Sequence, residues 1–168
     1  MEPSDVDALY IWENDSRYWP AGNTRAPLSR FQLSEYVNNY DSNPYSAGQL
    51  RLMIADIATG EPMGAVDIYD FDSMSGRAGV GVFVAERYRG KGVASRALRL
   101  LGRYCLEMLT MHQLWSIVAV TNIASRRLFE QSGYKISGCL KSWIRQPGGV
   151  YTDAYIMQRM LDDVRTEQ

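Results

Sequence analysis

Residues Arg87-Tyr88-Arg89-Gly90-Lys91-Gly92-Val93-Ala94-Ser95 set three cations around two glycines, just before a stretch of helical periodicity. Glycine lets backbone approach a ligand closely. A helix starting there also points unsatisfied N–H groups and the positive end of its dipole into the same space, which suits a pyrophosphate. A glycine-rich turn with solvated basic residues fits the nonapeptide as well. Two phosphate motifs are excluded: Lys91 is followed by Gly92 where a Walker A loop needs Ser or Thr, and Ser95 stands where a dinucleotide fingerprint needs Gly or Ala. Downstream, Asn122-Ile-Ala-Ser125 opens a second helix after an apolar stretch. Asn122 either caps that helix or, with Ser125 about one turn on, projects polar groups into a cleft between adjacent strands.

The elements that must position these residues are legible as periodicities. Ser4, Asp5 and Asp7 start a first helix with Val6, Leu9, Tyr10 and Glu13 at helical spacing, interrupted by Pro20, Gly22 and Pro27. Ser29 caps a second helix over 30–39, with Phe31, Tyr36 and Val37 as its apolar contacts. Strand signals over 50–55 and 63–71 flank the turn Thr59-Gly60-Glu61-Pro62, and a third apolar run over 78–84 completes a meander. Val93, Ala97, Leu100, Leu101, Tyr104, Cys105 and Met108 then mark one face of a long helix beginning near Gly92. A buried strand over 114–120, a helix over 122–131 stopped by Gly133, and two strands around Pro147-Gly148-Gly149 follow. The predicted order is two helices, three strands, helix, strand, helix and two strands, in a mixed α/β fold.

Composition bounds what such a fold does. At 168 residues, the chain is expected to form a single domain over 1–168. Eighteen Lys and Arg against 19 Asp and Glu leave a net charge of −1, so no global field holds nucleic acid or an anionic membrane and any anion site is local. Cys105 and Cys139 are too few for a disulfide scaffold, neither has metal-ligand spacing to a second Cys or a His, and no apolar segment is long enough to span a membrane. A cytoplasmic setting is expected, with no membrane and no nucleic-acid partner. His112 reads as structural and Cys105 as core, while Cys139 is uncommitted.

The pair Arg87-x-x-Gly90-x-Gly92-x-Ala94 and Asn122-x-x-Ser125-x-x-Leu128-Phe129-x-x-x-Gly133-Tyr134 resembles the acyl-CoA site of the GNAT superfamily of N-acetyltransferases. The resemblance covers nearly the whole chain, element order included. Residues 133–140, with Gly149-Val-Tyr151-Thr-Asp153, are similar to the branch holding spermidine acetyltransferases and the enzymes that acetylate ribosomal-protein N-termini. It implies an α/β (α+β) fold with a mixed, mostly antiparallel sheet, flanked by helices and splayed at the acyl-CoA site. Acetyl-CoA is the implied co-substrate, with no metal. By resemblance, Val82, Phe83 and Val84 pair with the pantetheine arm. Arg87, Arg89, Gly90, Lys91, Gly92, Val93, Ala94 and Ser95 hold the pyrophosphate, and Asn122, Ser125 and Phe129 line the cleft.

Three departures bear on the chemistry. Many relatives place a Tyr general acid where Phe129 stands; a ring without a hydroxyl cannot protonate a leaving thiolate, so Ser125 becomes the candidate donor. Polyamine-acetylating relatives carry a Glu where Gly79 stands, which leaves the base open. The first strand usual in the fold is nearly missing before Glu2, leaving the sheet edge in doubt.

An acceptor amine must lose a proton, so carboxylates matter. Asp67, Asp70 and Asp72 lie on one strand, where alternation puts Asp70 and Asp72 on one face and Asp67 on the other with Tyr69 and Phe71; solvated strand-end charge is the plainer reading. Asp153 is the alternative base or a surface ion-pair partner. Trp12, Glu13, Asp15 and Trp19 fall where the family builds its acceptor pocket, and acids with aromatic faces suit a cationic amine; an ordinary amphipathic surface fits them too. The expected acceptor is a primary amine, with a polyamine such as spermidine favoured and Asp70 beside it. A peptide N-terminus is the alternative, as is a CoA-binding module without catalysis. An uncovered sheet edge offers a homodimer contact.

Overall fold

The computed structural model describes residues 1–19 and 26–161; the interruptions expected at Pro20 and Gly22 lie outside the described residues. A single 3-10 turn over Pro3–Asp5 leads into α1, Val6–Glu13. Helix α2, Arg30–Asn38, starts on a capping box: Gln32 N–H donates to Ser29 Oγ at 3.1 Å and Ser29 N–H donates to Gln32 Oε1 at 2.9 Å. Of the three apolar contacts expected for α2, Val37 turns inward and the other two do not. Leu33 and Val37, four apart, pack with Leu9 of α1, whereas Phe31 is 74% exposed and Tyr36 also faces outward. A one-turn helix, α3, Pro44–Ala47, was not foreseen because a single turn carries no period; Asn43 caps it through a bond from Tyr45 N–H at 3.0 Å.

Strands β1 (Leu50–Ala55), β2 (Pro62–Asp72) and β3 (Arg77–Val84) form the expected antiparallel meander. Helix α4, Val93–Glu107, crosses to β4, Gln113–Ala119, and α5, Ile123–Gln131, precedes the hairpin of β5, Lys135–Arg145, and β6, Tyr151–Met160. One six-stranded sheet results, in the order β1-β2-β3-β4-β6-β5, with β3–β4 its only parallel pair.

The main core lies under α4 and α5. Leu98, Leu101 and Cys105 of α4 and Phe129 of α5 pack on Val66, Ile68, Val80, Leu114, Val118 and Met157 of the sheet. Burial pushes the Cys105 thiol up to about 12, as befits a core thiol. Leu100 and Met108, expected on the inner face of α4, are exposed: the inward stripe runs through Val93, Leu98, Leu101 and Cys105, one residue around the helix from Leu100. Helices α1 and α2 make the smaller core, which also takes in Met53 of β1. Since Leu52 and Ile54 pack into the main core, strand alternation places the two helix layers on opposite faces of the sheet.

Candidate functional site

The sheet parts between its two parallel strands. Pairing of β3 with β4 is confined to Arg77↔Gln113, Ala78↔Leu114 and Gly79↔Trp115, and no ladder joins them beyond. From Val80 to Val84 and from Ser116 to Ala119, the backbone edges facing each other are therefore open to a third strand-like partner. Because β3 and β4 run parallel and each is followed by a helix, the N-termini of α4 and α5 both stand at the wide end of this wedge.

At that end, Gly90 and Gly92 adopt φ of 72°, the left-handed region that a side chain strains. Gly92 is the N-cap of α4 and offers no side chain to its first N–H groups, and the space where a Cβ of Gly90 would stand is empty to 4 Å. Free N–H groups at an uncapped helix start, reached across open space, are what an anion requires. Val93 is buried as the anchor of the helix, Ala94 and Ser95 are half-buried, and Arg87, Arg89 and Lys91 are exposed.

The three cations are not equivalent. Arg87 is paired with Glu61 at 2.5 Å and lies over the Tyr88 ring; Arg89 donates from Nε to the Val84 carbonyl at 2.9 Å and stacks on Tyr18, 4.9 Å from its centroid. Lys91 stands 5.8 Å from the Tyr88 centroid. Arg96 was missed by the sequence reading. Four residues after Gly92, and so one turn along α4, it returns its guanidinium to the loop, 3.3 Å from the Lys91 carbonyl.

Asn122 does cap α5, accepting from Ser125 N–H at 3.1 Å, and this leaves its amide nitrogen to donate. Both side chains are half-buried beside the wide end of the wedge. Phe129, one turn further along, turns into the core and meets Tyr134 edge-on at 4.9 Å. Of the pantetheine candidates, Val82 packs against the main core, Val84 is buried on the same face by alternation, and Phe83 projects to the opposite side.

On that opposite side the N-terminal segment is tied down. Trp12 and Tyr18 both pack on Phe83, at 5.3 and 5.1 Å, and Trp19 Nε1 donates to the Glu13 carbonyl at 2.8 Å. Arg51 of β1 joins two of the predicted carboxylates. It grips Asp67 with Nε and Nη2, at 2.6 and 3.0 Å, and reaches Glu13 with Nη1 at 3.0 Å. Burial opposes charge on Arg51, but the Asp67 carboxylate outweighs it and holds the guanidinium firmly protonated. The Arg51 N–H also donates to the Tyr40 hydroxyl.

Asp15 is held by Arg17, whose bonds keep its carboxyl below the usual range; the same guanidinium reaches Glu86 at 3.1 Å. Asp70 differs from both. It is exposed, at φ 48° in the bulge that shifts the β2–β3 register between Tyr69 and Asp72. The even alternation expected for Asp67, Asp70 and Asp72 therefore ends at Tyr69. Asp153 is far along the sheet order on β6, where it accepts from Lys141 Nζ at 2.8 Å and from Ser142 N–H at 2.9 Å. Arg51, Tyr18 and Tyr69 were not singled out from sequence, since their importance depends on cross-strand register. Among the described residues, no group of three His, Cys, Asp or Glu could hold a metal ion, and no helix is long and apolar enough to cross a membrane.

Comparison with known proteins agrees with this geometry. Residues 1–135 match the family model described as an acetyltransferase (GNAT) domain. The spermidine N(1)-acetyltransferase of Escherichia coli K12 is 25% identical over 142 residues, 82% of this chain and 72% of that protein. A putative ribosomal N-acetyltransferase of Bacillus subtilis is 29% identical over 79 residues, 47% of this chain and 43% of that one. The crystal structure of spermidine N-acetyltransferase from Vibrio cholerae, in complex with CoA and spermine, superposes with a TM-score of 0.83 at 22% identity, covering 98% of this chain and 95% of its own. A glycine-rich helix start and a parted parallel strand pair, in a chain matched over most of its length, make this protein an N-acetyltransferase of the GNAT family.

Proposed function

We propose that the protein transfers the acetyl group of acetyl-CoA to a primary amine of a polyamine such as spermidine. The observation that carries this reading is the parting of β3 from β4 directly below the uncapped start of α4. Acetyl-CoA fits the residues present: an extended amide-bearing arm needs open strand edges, and its pyrophosphate needs free N–H groups with nearby cations. Phe83 and its neighbours Val82 and Val84 pair with the arm. The N–H groups from Gly90 to Ser95 bind the pyrophosphate, with Lys91 and Arg96 supplying charge, and Asn122 donates its amide N–H from the other wall. Acetyl-CoA supplies an activated acyl group, a thioester open to attack by a neutral amine.

The acceptor side is the face that carries Glu13 and Asp67, with Trp12 and Trp19 adjoining and Asp70 exposed at the bulge of the same strand as Asp67. Support for a polyamine comes from this acidic and aromatic lining and from the relatives that bear the name of spermidine acetyltransferase. Arg51 neutralises one of the two carboxylates it joins, so the Glu13–Asp67–Arg51 group keeps a net charge of −1. Asp70, exposed, adds to the local field, whereas the charge of Asp15 is met by Arg17. Asp67 takes the amine proton through water, and Ser125 returns a proton to the departing sulfur. Asp153 holds the kinked β5 in place. A peptide N-terminus is the second reading, favoured by the Ser125 position and the ribosomal relative.

The two acceptor readings separate on one substitution. Glu13→Gln is expected to raise the KM for spermidine about tenfold with kcat nearly unchanged, the signature of lost uniform binding. Unchanged KM for spermidine, alongside better turnover of a peptide N-terminus, would overturn the polyamine assignment.

A further inference from the structure

Tyr69 stands where the two halves of the site meet. In the β2–β3 register it lies opposite Gly79, the last β3 residue that pairs with β4. Its ring covers that glycine: a Cβ on Gly79 would fall 2.3 Å from the ring, so only glycine leaves room for it. The far side of the ring meets Trp115 of β4 edge-on at 5.2 Å. Tyr69 thus bridges from β2, over β3, to β4 at the apex of the wedge. The bulge that follows, with Asp70 at φ 48°, ends regular β2–β3 pairing just there.

At the apex, the Ile117 amide and the Ser116 hydroxyl act on the phenol and favour its charged form, against the burial that disfavours it. Ile117 belongs to the part of β4 that has lost β3 as a neighbour, and its N–H faces the open wedge, as that of Gln113 faces β3 where the two strands still meet. A neutral phenol there carries an O–H that can donate into the wedge. Burial pushes the phenol up to about 12, so it is protonated throughout the neutral range.

We propose that Tyr69 is a further catalytic residue, whose O–H donates to the thioester carbonyl oxygen as negative charge develops there. This rests on the reading of the wedge as the acetyl-CoA cleft, with the acyl group at its narrow end. The amine lone pair forms the N–C bond and the carbonyl π pair moves to oxygen, where the Tyr69 O–H meets it. Return of that pair restores C=O and breaks the C–S bond; sulfur keeps the bonding pair, and the proton shed by nitrogen ends on sulfur. Tyr69 keeps its own proton throughout. A donor fixed at the site of developing charge, away from bulk water, typically accounts for about a hundredfold or more in rate.

The test uses the full chain and Tyr69→Phe, which keeps the ring over Gly79 and removes only the hydroxyl. Acetyl-CoA labelled with carbon-13 at its carbonyl is bound to each protein without acceptor, its affinity measured by calorimetry and its carbonyl stretch by infrared difference spectroscopy. The expected result is equal affinity, a carbonyl stretch displaced to lower frequency by the native protein and not by the variant, and a kcat about a hundredfold lower in Tyr69→Phe. The same stretch in both proteins, or a kcat within threefold of native, would overturn the proposal while leaving the cleft assignment standing. Failure of the native protein to bind acetyl-CoA would remove the cleft assignment and this inference with it.

Discussion

Ser125 and Asn122 show how one short motif performs two tasks. The Asn122 oxygen is spent on the cap, accepting from Ser125 N–H, whereas the Ser125 hydroxyl carries no such bond among the described residues. On the proposed reading, the half-buried Ser125 hydroxyl on the α5 wall of the wedge is the source of the sulfur proton, since Phe129 is sealed in the core. Ser125→Ala is expected to lower kcat about a hundredfold, the usual scale for a lost proton donor, with the acetyl-CoA Kd unchanged. Equal losses in kcat and affinity, measured by thiol release and calorimetry, would make Ser125 a binding residue instead. At this scale the sequence was informative for backbone-driven features and poor for side-chain pairing. Gly90, Gly92 and the Asn122 cap follow from local conformation, which residue type dictates. The commitment of Asp67 and Glu13 to Arg51, and of Asp15 to Arg17, follows from which strands and turns come together, and no spacing encodes it.

Elements were legible wherever a period had room to repeat. Helices α2, α4 and α5, the meander and the turn of the final hairpin stand within a residue or two of the expected bounds. The misses share one cause. Alternation along β2 was extended through Asp70, and the stripe of α4 through Leu100, because a regular period has no means of anticipating a bulge or choosing between two adjacent apolar columns. Asp153 exposes the same weakness on β5, where Ser142 at φ 48° breaks the strand and its N–H is met by the Asp153 carboxylate. Lys141 above all, and then the Ser142 N–H, hold that carboxyl below its ordinary 3.8. A depressed carboxyl pKa stabilises the folded state above the unfolded value and ceases to do so as the pH falls through the folded one. Asp153→Asn should therefore reduce stability at pH 7, and the gap to the native protein in urea denaturation should close as the pH drops below 3.8. A gap that stays constant down to pH 2 would show that the charge is not what holds the bulge.

For the whole molecule, topology accounts for the site. A single parallel pair in an otherwise antiparallel sheet brings two helix starts to one end, and release of that pair after three residues opens the space they face. The opposite face of the sheet, closed by α1, α2 and the aromatic contacts to Phe83, supplies the carboxylates. On the proposed function, acyl donor and amine would approach through different walls of the same gap, which is the arrangement direct transfer needs. The most direct test incubates the purified chain with acetyl-CoA and, separately, spermidine, spermine, short diamines, amino acids and basic N-terminal peptides. Released CoA thiol and the mass of each acceptor are then followed. The account predicts thiol release that depends on a polyamine, matched by a gain of one acetyl group on that polyamine; thiol release with peptides alone, or none with any amine despite acetyl-CoA binding, would contradict it.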